Sequence, residues 1–424
     1  MDILLKSVRI IDPASELHNQ VTSVYIKDGV IATIGNNVPD NAASVLQEEG
    51  LCVSAGWFDM QAMVGEPGLE YKEDLQSAAQ AAAAGGFTEV LCLPNTEPVV
   101  QTKHAVSYLQ SKTAAMPVTF HAMAAVTTDA GGKELTEMID LHQAGAIAFS
   151  DGFNGLQNAD VLLKALHYVQ FFDGLLINKP ENARLNEYGQ MHEGVVSTQL
   201  GMKGLPALSE ELTVARDLQL LEYAGGKLHF SLVSSAGSVE LIRKAKEKGL
   251  EVTCGAATYQ VAFTDATMSA FDSNFKVNPP FRSAADVEAL VQGLQDGTID
   301  VLVSGHTPQD AEAKNLEFDL ADFGIINLET AFAVANTHLK DQLNLESLIT
   351  KLVHKPRQIL NLPVPEIKVG AVANLTVFHP EKTWVPMPAQ TQSRSLNSPF
   401  FGQTLTGKVA AIVNKGQAVF NPNF

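Results

Sequence analysis

The chain has 424 residues, 46% of them hydrophobic, and a formal net charge of −18 from 29 Lys and Arg against 47 Asp and Glu. That length and apolar content can bury a large core of more than one typical domain, while the acidic balance excludes nucleic acid, whose binding needs Lys and Arg against phosphates. No stretch reaches the ~20 apolar residues of a membrane span, the Met1–Lys6 start lacks a signal-peptide pattern, and three scattered cysteines (Cys52, Cys92, Cys254) suit reduced thiols, so a soluble cytoplasmic protein is expected.

In chain order, the first ~55 residues read as short strands. Val8–Asp12 and Ser23–Lys27 are apolar or alternating, and Asp28-Gly29 is a hairpin signal before Val30–Gly35. Next comes Asp59-Met-Gln-Ala-Met63, the frame of a strand that ends in a metal-binding Asp-x-His-x-His, with Gln61 and Met63 where imidazoles are expected. Ala-rich Ser77–Ala84 is a helix former stopped by Gly85-Gly86, and Glu89–Pro94 is a buried strand.

The order then repeats: strands at Ala146–Phe149, Leu175–Asn178 and Lys227–Val233, helix Ser238–Lys248, strand Glu251–Cys254, helix Ala284–Gln295 and strand Ile299–Ser304. About eight βα units over residues 56–364 predict an α/β fold, a (β/α)8 TIM-like barrel. The absence of Gly-x-Gly-x-x-Gly after the first strand argues against a dinucleotide fold. Ala373–Phe378, Gly407–Val413 and Gln417–Phe420 are strands again. Residues 1–55 and 365–424 are therefore expected to join in one small β-sandwich domain. Any site lies at the C-terminal strand ends: Asp59–Gly65, Asn95, Asp151, Asn178–Glu181, Leu232, Cys254–Tyr259 and Ser304–Gln309.

Several longer strings are distinctive, among them Glu66-Pro-Gly-Leu-Glu-Tyr-Lys-Glu-Asp74, Leu93-Pro-Asn-Thr-Glu-Pro98, Ala148-Phe-Ser-Asp151, Val233-Ser-Ser-Ala-Gly-Ser-Val-Glu240, Asn274-Phe-Lys-Val-Asn-Pro-Pro-Phe-Arg282 and Leu396-Asn-Ser-Pro-Phe400. With them the chain resembles, nearly end to end, the dihydroorotases of the amidohydrolase superfamily, of the type found with aspartate transcarbamoylase. The resemblance implies a zinc-activated water that interconverts N-carbamoyl-aspartate and dihydroorotate. Such chemistry needs a cation that lowers the pKa of water and polarises the carbonyl, held by several His plus carboxylates.

Against that pattern this chain departs at most of the positions that matter. Gln61 and Met63 replace the family's His-x-His, and Gly65 replaces the Arg that grips the substrate carboxylate. Lys179 and Leu232 stand at two further His positions. Gly305 stands for the catalytic Asp and Gln309 for the last His of that motif. Of the ligand positions only Asp151 survives, followed by Gly152 instead of a second Asp. Met and Leu cannot hold a hard dication, and Gln is a weak neutral ligand. No metal site is expected, and the zinc of the active family has no ligand set here.

The residual catalytic candidates are Asp151, Lys179 and His306. By resemblance, Asn95 and Asn278 match substrate-contacting positions, although either Asn equally suits a loop-holding role. Two readings of Lys179 stand open: its ammonium occupies the vacated metal position and pairs with Asp151, because a buried carboxylate that loses its dication needs another cation, or the side chain points to solvent. Glu66-Pro-Gly68 reads as loop architecture, and Glu210-Glu211 and Asp310 with Glu312 as solvated faces.

The reading is a non-catalytic dihydroorotase homologue of pyrimidine biosynthesis, a structural or regulatory partner of aspartate transcarbamoylase and an oligomer. Two alternatives stand beside it: an active dihydroorotase or related cyclic-amide hydrolase with a non-standard site, and a sensor that binds a pyrimidine intermediate through Asn95 and Asn278.

Overall fold

A computed structural model describes residues 1–39 and 42–424. Eight parallel strands form the centre: β1 (Trp57–Ala62), β2 (Phe87–Cys92), β3 (Thr119–Ala124), β4 (Ala146–Phe149), β5 (Leu175–Asn178), β6 (Lys227–Phe230), β7 (Val252–Ala257) and β8 (Val301–Val303), hydrogen-bonded in that order. A parallel bridge from Ala62 to His306 and the bond from Met63 N to His306 O (2.8 Å) bring β1 back to the end of β8. The expected barrel is thus present, nearly closed, with helices between its strands.

Local chemistry sets several boundaries. The Ala-rich helix runs Leu75–Gly85; Asp74 caps it by accepting from Ser77 N at 2.8 Å, and Gly86 ends it at φ +92°. The hairpin at 28–29 has positive φ at both Asp28 (+50°) and Gly29 (+81°), the geometry of a type I′ turn. The strand expected over Lys227–Val233 stops at Phe230, because Leu232 takes φ +51° and turns the chain out of the barrel.

The two chain ends meet in one continuous eight-stranded sheet. Strand Cys52–Ala55 pairs antiparallel with Leu375–Trp384 and parallel with Asp2–Ile10. Its inward side chains, including Ile3, Val24, Val53, Val377 and Ala411, share one apolar cluster. All three cysteines are buried and unpaired. Among the described residues no helix is long and apolar enough to cross a membrane.

Candidate functional site

The strand ends place the expected positions together at the mouth of the barrel, but as a packed surface. Asp59 is fully buried on β1; its Oδ1 accepts from Ser304 N at 2.9 Å and its Oδ2 from the Ser304 hydroxyl. Burial pushes its carboxyl up to about 6, even though those bonds favour the ionised form. Asp59 therefore belongs to the seam that closes β1 on β8.

Two residues on, Gln61 is 5% exposed and lines the barrel interior beside Leu232 and His229, where no space remains for a water. Met63 and Leu232, both at expected imidazole positions, lie in one apolar cluster with Met60, Ile177 and Val303. These side chains pack against one another. His229, absent from the sequence-based candidates, sits among them with Nδ1 2.8 Å from Thr253 Oγ1, and burial drives its imidazole down to about 3. It is a neutral core histidine.

Asp151 does not meet Lys179, against the first reading of that lysine. Its Oδ1 accepts from Thr127 N at 2.9 Å and its Oδ2 from the Thr127 hydroxyl, so the loop after β3 already satisfies both oxygens. Burial raises its pKa from the usual carboxylate value. Asn95 holds the next turn: Nδ2 donates to Asp151 O (3.1 Å) and Oδ1 accepts from Phe153 N (3.0 Å). Gly152 packs so closely on this amide that a Cβ would come within 1.8 Å of Asn95 Oδ1.

Lys179 pairs instead with Glu181, Nζ to Oε2 at 3.0 Å, with its side chain 5% exposed. It also donates to Phe153 O at 3.4 Å. Asn278 donates to the same Glu181 oxygen at 3.1 Å. An ammonium does stand at the mouth, yet its carboxylate is two residues away in the β5 loop. The sequence places Glu181 only within the Asn178–Glu181 strand end and gives it no partner, although its i, i+2 spacing from Lys179 is visible.

Glu210 is a second correction. It is 2% exposed, accepts from Ser234 N and Ser235 N at 2.9 Å each, and lies 3.6 Å from Arg282 Nη2. Arg282 also donates to Leu205 O (2.7 Å) and Ser234 Oγ (3.0 Å). One buried guanidinium thereby ties the loops after β5, β6 and β7 across the mouth. The remaining space beside Lys179 and Asn278 is about 10 Å³, room for roughly one water. Glu312, by contrast, is exposed as expected, while Asp310 is half-buried and caps residues 311–314 by accepting from Ala313 N.

His306 lies at the β1–β8 seam. Its Nδ1 accepts from Asn327 N at 3.1 Å, so Nε2 carries the proton and faces Glu73 Oε2 at 3.3 Å. Burial acts against the Glu73 carboxylate, but hydrogen bonds from His306, Ser393 and Ser77 outweigh it and hold its pKa below the usual value. Gly305 has φ +61°, and a Cβ there would lie 3.0 Å from the Tyr259 ring and hydroxyl. At Gly65 a Cβ would meet Leu69 O at 2.3 Å. Gln309 donates to Phe323 O at 2.9 Å while its Oε1 is buried without a partner.

No group of three or more His, Cys, Asp or Glu side chains is placed to share a metal ion among the described residues. The donors do not fit zinc: a thioether and an isobutyl group sit in an apolar cluster, and both Asp151 oxygens are already bonded to Thr127. No catalytic step through a metal follows from this geometry. Lys179 is tied to Glu181 and His306 to Glu73.

Comparison with known proteins agrees with the architecture. A family model described as "Dihydro-orotase-like" matches residues 50–238. A dihydroorotase of Syntrophus aciditrophicus is 41% identical over 425 aligned positions, covering 99% of each chain. One of Citrifermentans bemidjiense is 38% identical, covering 99% of this chain and 100% of the relative. Among solved structures, the L-hydantoinase (dihydropyrimidinase) from Arthrobacter aurescens superposes with a TM-score of 0.86 at 22% identity, over 99% of this chain and 96% of that one. A D-hydantoinase gives 0.82 at 21% identity, over 100% and 98%. At those identities the structural likeness speaks to the fold.

Proposed function

The chain belongs to the dihydroorotase-like family, and on that premise we propose that it is a non-catalytic member, acting in pyrimidine biosynthesis as a structural or regulatory partner of aspartate transcarbamoylase. The observation that carries the reading is the shared apolar cluster of Met63 and Leu232. Two positions that would hold a cation in a zinc hydrolase instead contribute to core packing, and the space beside Lys179 admits about one water. A barrel kept intact around a filled mouth suits a protein selected for its surface and stability.

The test has three readouts on the purified full chain. Elemental analysis should find no stoichiometric zinc, and neither hydrolysis of dihydroorotate nor its formation from N-carbamoyl-aspartate should rise above background. Mixed with the cognate transcarbamoylase at micromolar concentration, the chain should co-elute with it. Separate elution removes the partner reading, and turnover removes the non-catalytic one.

A second reading has support of its own, because the relatives at 41% and 38% identity carry the name dihydroorotase. Under it the chain is a cyclic-amide hydrolase that uses Asp151, Lys179 and His306 without a metal. The same turnover assay decides between the two.

A further inference from the structure

Between the barrel and the sheet of the chain ends runs a cleft separate from the mouth. His306 and Asn327 line its barrel side; Trp384, Met387 and Lys408 line the other. Its volume is about 540 Å³ counting the open side, against about 230 Å³ on the same measure beside Lys179 and Asn278 at the mouth.

Its chemistry is asymmetric. Glu329 turns one oxygen, Oε1, to the backbone, accepting from Gln392 N at 2.9 Å and Ser393 N at 3.0 Å. No hydrogen bond among the described residues reaches its other oxygen, Oε2. Burial, with the nearby Glu73 charge adding to it, lifts this carboxyl to about 7, as expected of a group that lacks a partner for its charge. On the far side Trp384 spends its indole N–H on Gly407 O (2.9 Å) and so offers only its ring to a ligand. The Lys408 ammonium lies 5.2 Å from that ring's centroid; it donates one N–H to Asn423 O and has two donors left for the same space.

A free acceptor, a cationic donor and an aromatic ring in one slot match a particular ligand edge. We propose that this cleft binds a small planar heterocycle of the nucleobase class, its ring N–H donated to Glu329, its carbonyl accepting from Lys408 and its ring lying beside Trp384. The site does not depend on the partner reading above, since it shares no residue with the Lys179–Glu181 mouth. His306 forms part of the wall between the cleft and the barrel seam, so occupancy of the cleft also bears on the contact between β1 and β8.

The chain has two tryptophans, and Trp57 is fully buried, so Trp384 dominates any ligand-dependent change in emission. Titrating uracil into the full chain should give a saturable change in tryptophan fluorescence and a rise in Tm. At pH 8, where a carboxyl titrating at about 7 is mostly ionised, 1,3-dimethyluracil, which has no ring N–H, should bind about tenfold more weakly, as should uracil to Glu329→Gln, because a hydrogen bond to a charged acceptor is lost. Trp384→Phe should lose the fluorescence change and keep a rise in Tm. An unsaturable response, or equal binding of uracil and its dimethyl analogue, overturns the proposal. If Glu329→Gln does not fold, the comparison of the two ligands on the unaltered chain still decides. Uracil binding without co-elution of the transcarbamoylase would leave this site standing and remove the partner reading alone.

Discussion

Lys179 Nζ stands 3.0 Å from Glu181 Oε2, with side chains 5% and 17% exposed, so the ammonium at the barrel mouth is neutralised by a carboxylate two residues on. Breaking a buried pair from one side strands the other charge, whereas removing both can be nearly neutral. Lys179→Met or Glu181→Gln alone should lower stability by about 3 kcal/mol. The double variant should lose less than the two single losses added together. Urea denaturation in a double-mutant cycle measures the difference. Strictly additive losses would mean that the pair carries no coupling energy.

Restoring the first two imidazoles should cost stability without yielding an enzyme. Gln61→His with Met63→His puts polar rings into the apolar packing of Met60, Ile177 and Leu232. Burying an unpaired polar group costs about 1–3 kcal/mol, and Lys179, Leu232 and Gly305 still supply nothing to a metal or to a proton transfer. The expected outcome is a lower urea midpoint, sub-stoichiometric zinc by elemental analysis and no turnover. Full zinc occupancy in this variant would show that the mouth rearranges to complete a ligand set.

Much of the barrel was legible because β-strand runs such as Ala146–Phe149 and Leu175–Asn178 are short, apolar and bounded by turns. Strand Thr119–Ala124 was not, since Ala122 and Ala124 carry helix propensity and only its pairing with β2 and β4 makes it a strand. The departures from the family pattern at Gln61, Met63 and Leu232 were visible in the sequence. What filled the space was not, because packing between distant strand ends is a tertiary property. Glu210 misled for the same reason: it sits in a polar run on a helix, and only the Ser234–Ser235 amides and Arg282, 24 to 72 residues on, make it a buried residue.

Stability in acid should follow Glu89. Burial alone would raise its pKa, but His121 at 2.8 Å and Arg357 at 2.6 Å hold it at about 2 against an ordinary 4.5. A carboxyl depressed in the fold binds protons more readily when unfolded. Its contribution, on the order of 3 kcal/mol, is present above pH 4.5 and lost as pH falls towards 2. Asp59 has the opposite sign: raised from 3.8 to about 6, it favours the fold most below pH 3.8 and loses that contribution as pH rises through 6. Urea midpoints taken from pH 2 to 8 should show Glu89→Gln flattening the acid limb and Asp59→Asn flattening the decline between pH 4 and 6. If Glu89→Gln leaves the acid limb unchanged, other groups set it.

Putting an acid back at Gly305 should strain the fold before it offers any chemistry. The position has φ +61°, and an added Cβ would lie 3.0 Å from Tyr259 and 3.1 Å from the Ala257 side chain. An L-residue in this left-handed region costs about 1–2 kcal/mol, and the crowding against Tyr259 adds to that. Gly305→Ala separates the backbone and contact cost from the charge of Gly305→Asp. Both should lower the urea midpoint, the Asp variant further, since its carboxylate enters packing that holds no metal ligand set to receive it. Gly65→Ala should be worse than Gly305→Ala, because its Cβ meets the backbone oxygen of Leu69 at 2.3 Å, which cannot rotate away as a side chain can. If Gly65→Ala proves the milder of the two, the loop between β1 and its helix yields more readily than the seam around Tyr259. The position where the family keeps its substrate-binding Arg would then be the easier one to rebuild.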